Sequence, residues 1–165
     1  MAKKLLVRVD DRLIHGQVLT QWVGTIGATK IVVIDDEVAQ DKMRKNILKF
    51  AAPEDIQLKI YSADKAVEIW EKNQFGNGNV MVLFRDVKMI KKCQDLGLNF
   101  ENVSLGQMAI MGDRKQIYRS LGFDESEART VIELEKSGMN IYFQMSPNDG
   151  KENLNAIRSV FPCLA

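Results

Sequence analysis

Short apolar, β-branched runs recur along this chain, and each is followed by a longer stretch in which apolar residues return at helical spacing. No other feature limits the fold as strongly. A helix between two strands carries the chain back along the sheet, so the strands pair in parallel and repeated alternation specifies a parallel sheet with helices on its faces. Strands are expected at residues 4–9, 31–34, 58–61, 80–84, 102–105 and 139–145, with a further short edge strand at 116–121. The run Ile31, Val32, Val33, Ile34 has no polar alternation, as a strand buried on both faces requires. Helices are expected over 16–24, over 39–50 ahead of Pro53, from a Ser62 cap to the loop at 76–79, from an Asp86 cap to Gly97, from Asp124 to Gly138, and over 153–161. The expected architecture is a three-layer α/β/α fold around a mostly parallel central sheet of about six or seven strands.

A chain of 165 residues suffices for one such domain and is too short for two independent ones, so residues 1–165 are expected to form a single unit. Lys and Arg total 23 against 22 Asp and Glu, and a net charge of +1 gives the whole chain no broad attraction for nucleic acid or anionic lipid. Any anion site must be local. Cys93 and Cys163 form neither a CxxC motif nor a disulfide framework, which fits a reducing compartment. The first residues return to charge at Arg8, unlike a secretory signal, and no run approaches the roughly 20 apolar residues of a membrane span. A cytoplasmic protein is expected.

Ligands of an open parallel sheet bind at the carboxyl ends of its strands, where helix N-termini present free N–H groups. There the first strand gives way to Asp10, Asp11, Arg12, Leu13, Ile14, His15, Gly16 and Gln17, which include the single histidine. A neutral imidazole attacks phosphorus readily and is a good leaving group, so His15 suits a phosphoryl relay. Arg8 and Arg12 offer charge to phosphoryl oxygens, and the backbone N–H groups from Gly16 and Gln17 onward offer a cradle. The same residues also allow a histidine that merely packs or caps a helix beside two solvated arginines. Asp35 and Asp36 after the second strand either orient His15 or an arginine, or act only as caps. Gly106 either lines the crevice by close backbone approach or makes a simple turn. Trp22 and Trp70 fall on apolar helical faces, as core or interface residues do. No GxxxxGKS/T or GxGxxG string is usable, and one histidine with two scattered cysteines does not make a zinc site. Acidic pairs at 10–11 and 35–36 suit magnesium, but arginines compete for the first. No cofactor or metal is expected.

The string RVDDRLIHGQV at 8–18, followed by Trp22, resembles the active-site segment of the enzyme IIB components of the mannose/fructose/sorbose family of bacterial phosphotransferase systems. DDEVA at 35–39, Arg44, Lys45 and AAP at 51–53 look like that family's second block, and the likeness continues through 80–84 and 103–108. The resemblance implies a cytoplasmic phosphocarrier that takes a phosphoryl group from a phosphorylated IIA partner. The group passes to a sugar held by membrane IIC and IID partners, so the chain works peripherally at the transporter and meets sugar only through them. The family's phosphorylated residue falls on His15, at the ring nitrogen nearer the main chain, and Arg8, Asp10, Arg12, Gly16 and Gln17 match the surrounding motif. Asp35 stands where many relatives carry Asn, and Gln107 where a second glycine is common. In-line attack by His15, with Arg12 and Arg8 bracing the phosphoryl oxygens and Asp10 holding an arginine, is the mechanism expected. Two other classes remain open: a magnesium-dependent aspartyl relay using Asp86, and a module whose His15 and arginines only bind an anion.

Overall fold

The computed structural model describes residues 4–16 and 18–164. Its central sheet contains β1 (Lys4–Asp10), β2 (Lys30–Ile34), β3 (Gln57–Tyr61), β4 (Asn79–Phe84) and β5 (Asn102–Gln107). A small antiparallel pair, β6 (Lys115–Tyr118) and β7 (Leu121–Phe123), stands apart, and β8 (Asn140–Phe143) returns to the main sheet. The main sheet has six strands in the order β3-β2-β4-β1-β5-β8, each neighbour paired in parallel.

Strand alternation sorts the core into two layers. Val32, Ile34, Val80, Val82 and Phe84 face α4 (Ala63–Asn73), α5 (Val87–Asp95), α6 (Glu125–Lys136) and α7 (Asn155–Val160). Ile31, Val33, Met81 and Leu83 face the other way, against a π-helical stretch at Val18–Val23, α1 (Gly24–Ile26), α2 (Asp36–Gln40) and α3 (Lys42–Ala51). The three-layer α/β/α expectation holds, with six strands in the sheet. Ser62, Asp86 and Asp124 cap α4, α5 and α6 through their side chains, as their positions before apolar periodic stretches require.

Three local expectations are corrected. The helix expected over 39–50 is two helices, α2 and α3, divided at Asp41, whose carboxylate accepts from the Met43 and Arg44 amides. An aspartate that can cap competes with helix continuation. The single edge strand expected at 116–121 is the β6–β7 hairpin, which turns at Arg119 with φ 46°. The helix expected over 16–24 is π-helical at Val18–Val23 and ends at Gly27, where φ is 62°. Such wide turns recur at functional sites.

The topology places β1 between β4 and β5, with Val9 level with Phe84 on one side and Leu105 on the other. The β1–β5 register slips between Val9 and Asp10, so that Asp10 pairs with Gln107 and Gly106 is the extra residue of a bulge. The loop after β1 therefore leaves the middle of the sheet at its carboxyl edge.

Candidate functional site

Residues 11–15 form a tight loop held down from both ends. The Leu13 amide donates to the Asp10 carbonyl at 2.9 Å, and Leu13 takes φ 55°, a left-handed conformation costly for a residue with a branched side chain. The burial of Leu13 and Ile14 in the α3-side core offsets that cost. Asp11 ties the loop to β5: its amide donates to the Gln107 carbonyl at 3.0 Å, and its Oδ2 accepts from the Ala109 amide at 2.7 Å.

The turn folds Arg12 and His15 back onto Asp10. This carboxylate is 1 % exposed and accepts from the Arg12 amide at 3.0 Å, from Arg12 Nε and Nη2 at 3.2 Å each, and from His15 Nε2 at 3.0 Å. A carboxylate can only accept, so in the neutral ring the proton sits on Nε2 and Nδ1 keeps its lone pair. His15 is 18 % exposed, and its backbone carbonyl accepts from the Leu19 amide at 3.0 Å. It stands where the helical segment begins. Gly16 is exposed, and a Cβ there would meet nothing within 4 Å, so no contact among the described residues demands glycine. Gln17 lies outside the described residues.

Arg8 lies elsewhere than the sequence suggests. Two residues before Asp10 on β1, it points into the layer beneath the loop and is 1 % exposed. Nη1 donates to Ser104 Oγ at 3.2 Å and to the Gln144 carbonyl at 2.7 Å, and Nη2 donates to the Met145 carbonyl at 2.8 Å. Its Cζ lies 4.5 Å from the centre of the Trp22 ring, a cation–π contact, while Nε has no hydrogen-bond partner among the described residues. Burial pushes this guanidinium down to about 10, with Asp10 working in the opposite direction, so it remains cationic at neutral pH. The expectation that Arg8 braces phosphoryl oxygens does not match its place in this structure, where it is buried and its Nη atoms donate to Ser104 Oγ and to the Gln144 and Met145 carbonyls. Gly106 is what admits it, since a Cβ there would fall 2.1 Å from Arg8 Nη2. Gly106 is thus a bulge residue of β5 packed against buried Arg8, and not a simple turn.

Asp35 and Asp36 do not reach His15. Asp35 is wholly buried, caps the Val38 amide at 3.0 Å and pairs with Arg85 Nε at 3.1 Å. Arg85 also holds Glu37 at 3.0 Å; although burial works against its charge, these acids keep it above the usual arginine value. Asp36 accepts from the Ala63 amide at 2.8 Å and from Lys92, which hold it below the usual carboxylate range against the effect of partial burial. The pair orients an arginine and caps helices on the far side of β4.

The structure thus brings the partly exposed Arg12 and His15 onto the buried Asp10 carboxylate, sets Arg8 and Gly106 beneath them, and separates Asp35 and Asp36 from both. Sequence reasoning missed Asp11, Ser104 and the Gln144 and Met145 carbonyls. Only the period-two alternation of β1, which sends Arg8 and Leu6 to the same buried layer, carried a hint of the last three. No group of three or more His, Cys, Asp or Glu side chains among the described residues is placed to hold a metal ion.

Residues 4–160 match the family described as "PTS system sorbose subfamily IIB component". The chain is similar to a PTS system fructose-specific EIIB component of Bacillus subtilis, with 29 % identity over 153 residues covering 93 % of this chain and 94 % of the relative. It is also similar to the PTS system mannose-specific EIIAB component of Escherichia coli, 29 % identical over 146 residues, which are 88 % of this chain and 45 % of that protein. Among solved structures, that of manxB from Thermoanaerobacter tengcongensis superposes with a TM-score of 0.86 at 34 % identity, covering 98 % of each chain.

Proposed function

This chain belongs to the sorbose-subfamily IIB components of the bacterial phosphotransferase system, and from that premise we propose that His15 is its phosphoryl-carrying residue, charged by a IIA partner and discharged to a sugar held by membrane IIC and IID partners. The mannose-specific EIIAB relative, of which this chain matches 45 %, supports a IIA partner, since its name joins the two components. The sugar acceptor and transporter follow from the family's role in sugar transport, with the chain working on the cytoplasmic side. Among the described residues no helix is long and apolar enough to cross a membrane, so insertion by helix is left to those partners.

The single observation behind His15 as nucleophile is the 3.0 Å contact between its Nε2 and Asp10 Oδ2. With the proton fixed on Nε2, the Nδ1 lone pair attacks phosphorus in line as the bond to the donor's ring nitrogen breaks. The positive charge that develops on the His15 ring is stabilised by the Asp10 carboxylate, as the aspartate of a Ser-His-Asp triad stabilises its imidazolium. Arg12 is gripped by Asp10 through Nε and Nη2 yet has a side chain 38 % exposed, so its fork is held at the surface beside the transferring group. Backbone N–H groups from Gly16 onward supply further donors, and the bare Gly16 leaves room for the donor protein. Arg8 acts at a distance as a positioning residue: it ties β1 to β5 and to the segment after β8. No cofactor enters the scheme.

Labelled phosphate transferred from a phosphorylated IIA protein tests the reading. Wild-type chain is expected to take up label that is lost in acid and kept in alkali, and His15→Ala to take up none while remaining folded, less stable by about 1–3 kcal/mol for the lost bond to Asp10. Equal labelling of the alanine variant, or alkali-labile phosphate, would remove His15 from the role.

A further inference from the structure

The outer face of α3 carries Met43, Ile47 and Phe50, which are 73 %, 60 % and 95 % exposed. At about 100° per residue these positions fall in one stripe roughly 60° wide. Leu48 makes the buried contact of the helix, so the stripe is not its core face. Single exposed apolar residues are ordinary, but contiguous ones mark a surface that is covered in use. The charge of the chain is also most one-sided here. Lys42, Arg44, Lys45 and Lys49 stand in ten residues that contain no acid, against a net +1 for all 165. Arg44 pairs with Glu37 and Asp41, whereas Lys42, Lys45 and Lys49 enter no ion pair among the described residues.

We infer that α3 rests on an anionic lipid surface, with Met43, Ile47 and Phe50 entering the headgroup boundary and Lys42, Lys45 and Lys49 meeting the lipid phosphates. Charge complementarity selects lipid over a protein occupant. Protein interfaces are depleted in lysine, whereas unpaired lysines bordering Phe, Ile and Met are the composition of a helix lying in a membrane interface. Ile47 further lines, with Asp11 and Leu13, a hollow of about 240 Å³ beside the His15 loop. Seating the stripe on a bilayer therefore holds that loop close to the membrane plane. The inference does not require His15 to carry phosphate.

Co-sedimentation of the full chain with vesicles of roughly one part phosphatidylglycerol to three parts phosphatidylcholine, against pure phosphatidylcholine, tests it. Wild type is expected to bind the anionic vesicles at least about tenfold better and to lose that binding in high salt. Phe50→Ser, and separately Lys42→Glu with Lys49→Glu, should each weaken binding about tenfold or more. Both variants should melt like the wild type and accept phosphoryl groups in solution at the normal rate, so a failed His15 reading is told apart from a failed membrane contact. Equal or absent binding to the two vesicles would overturn the inference, as would binding that survives both variants. Self-association abolished by Phe50→Ser would assign the stripe to a second copy, and loss of IIA binding in the same variants would assign it to that protein; either result also overturns it.

Discussion

Replacing Asp10 with asparagine exchanges one carboxylate oxygen for an NH₂ group and leaves the shape unchanged. The carboxylate accepts four donors, two at each oxygen: the Arg12 amide and Nε at Oδ1, and Arg12 Nη2 and His15 Nε2 at Oδ2. With the NH₂ at the first site the amide would oppose two donors that cannot yield. With it at the second it opposes only Arg12 Nη2, because His15 can give way by moving its proton from Nε2 to Nδ1. The second arrangement wins, and it removes the Nδ1 lone pair. A wrong histidine tautomer costs up to about 10⁴ in a serine protease triad, so phosphoryl acceptance should fall on the order of 10³-fold. Stability should fall by only about 1–3 kcal/mol, the cost of one lost charge-assisted bond and one buried donor facing another. Single-turnover transfer from phosphorylated IIA measures the rate, urea unfolding the stability, and ¹⁵N spectra of the His15 ring which nitrogen holds the proton. A variant that transfers within threefold of wild type with its proton on Nδ1 would refute the reasoning, and so would wild type with the proton already there.

Other substitutions probe the layers around this pair. Gly106→Ala sets a Cβ 2.1 Å from Arg8 Nη2 and 2.3 Å from its Cζ, and Arg8 is too closely held to retreat, so urea unfolding should show a loss of about 2–4 kcal/mol. Gly16→Ala, whose Cβ meets nothing, should leave stability unchanged or raise it by up to about 1 kcal/mol. Arg12→Lys should slow transfer about a hundredfold in the same single-turnover assay, since one ammonium cannot both grip Asp10 and contact phosphoryl oxygens as a fork does. Burial pushes the Cys93 thiol up to about 12, so at pH 8 a thiol reagent should label Cys163 alone in the native chain and both cysteines in urea. Because the folded chain holds the Cys93 proton more tightly than the unfolded one, its contribution is full below pH 9 and is lost as pH rises toward 12, which alkaline unfolding curves should register.

The layered sheet was legible because its signals are local and repeated. Val32, Ile34, Val80 and Val82 declare themselves as buried strand residues, and Ser62, Asp86 and Asp124 as caps, without reference to anything distant in sequence. The hairpin turn was not, because Arg119 adopts a positive φ that its residue type does not announce. The site divides in the same way. The density of chemistry at residues 8–16 stands out in the string itself, but the Asp10–His15 contact depends on the left-handed turn at Leu13, which no glycine marks. Arg8 looked like a phosphate ligand because a charge near a histidine is read by proximity along the chain, whereas its guanidinium is buried against Ser104 and the carbonyls of Gln144 and Met145, about a hundred positions or more away in sequence. Asp35 illustrates the reverse: the plain expectation of a cap is what the Val38 amide finds, and its partner Arg85 lies 50 positions away.

The sheet order has a consequence for the timing of assembly. The loop that carries His15 lies within the first tenth of the chain, yet its supports arrive late: Ala109 lies 98 positions beyond Asp11, and Gln144 and Met145 lie 136 and 137 positions beyond Arg8. Closing such long spans forfeits chain entropy before any contact repays it, so these are slow events for a folding chain. A ribosome that has released this sequence only as far as residue 100 has exposed the Asp10, Arg12 and His15 cluster together with β4 and the core that buries Leu13 and Ile14, but neither β5 nor the segment after β8. Until β8 and the segment after it emerge, Arg8 lacks the Gln144 and Met145 carbonyls that accept its hydrogen bonds. His15 is therefore translated well before the β5 end and the segment after β8 that complete the support of its loop.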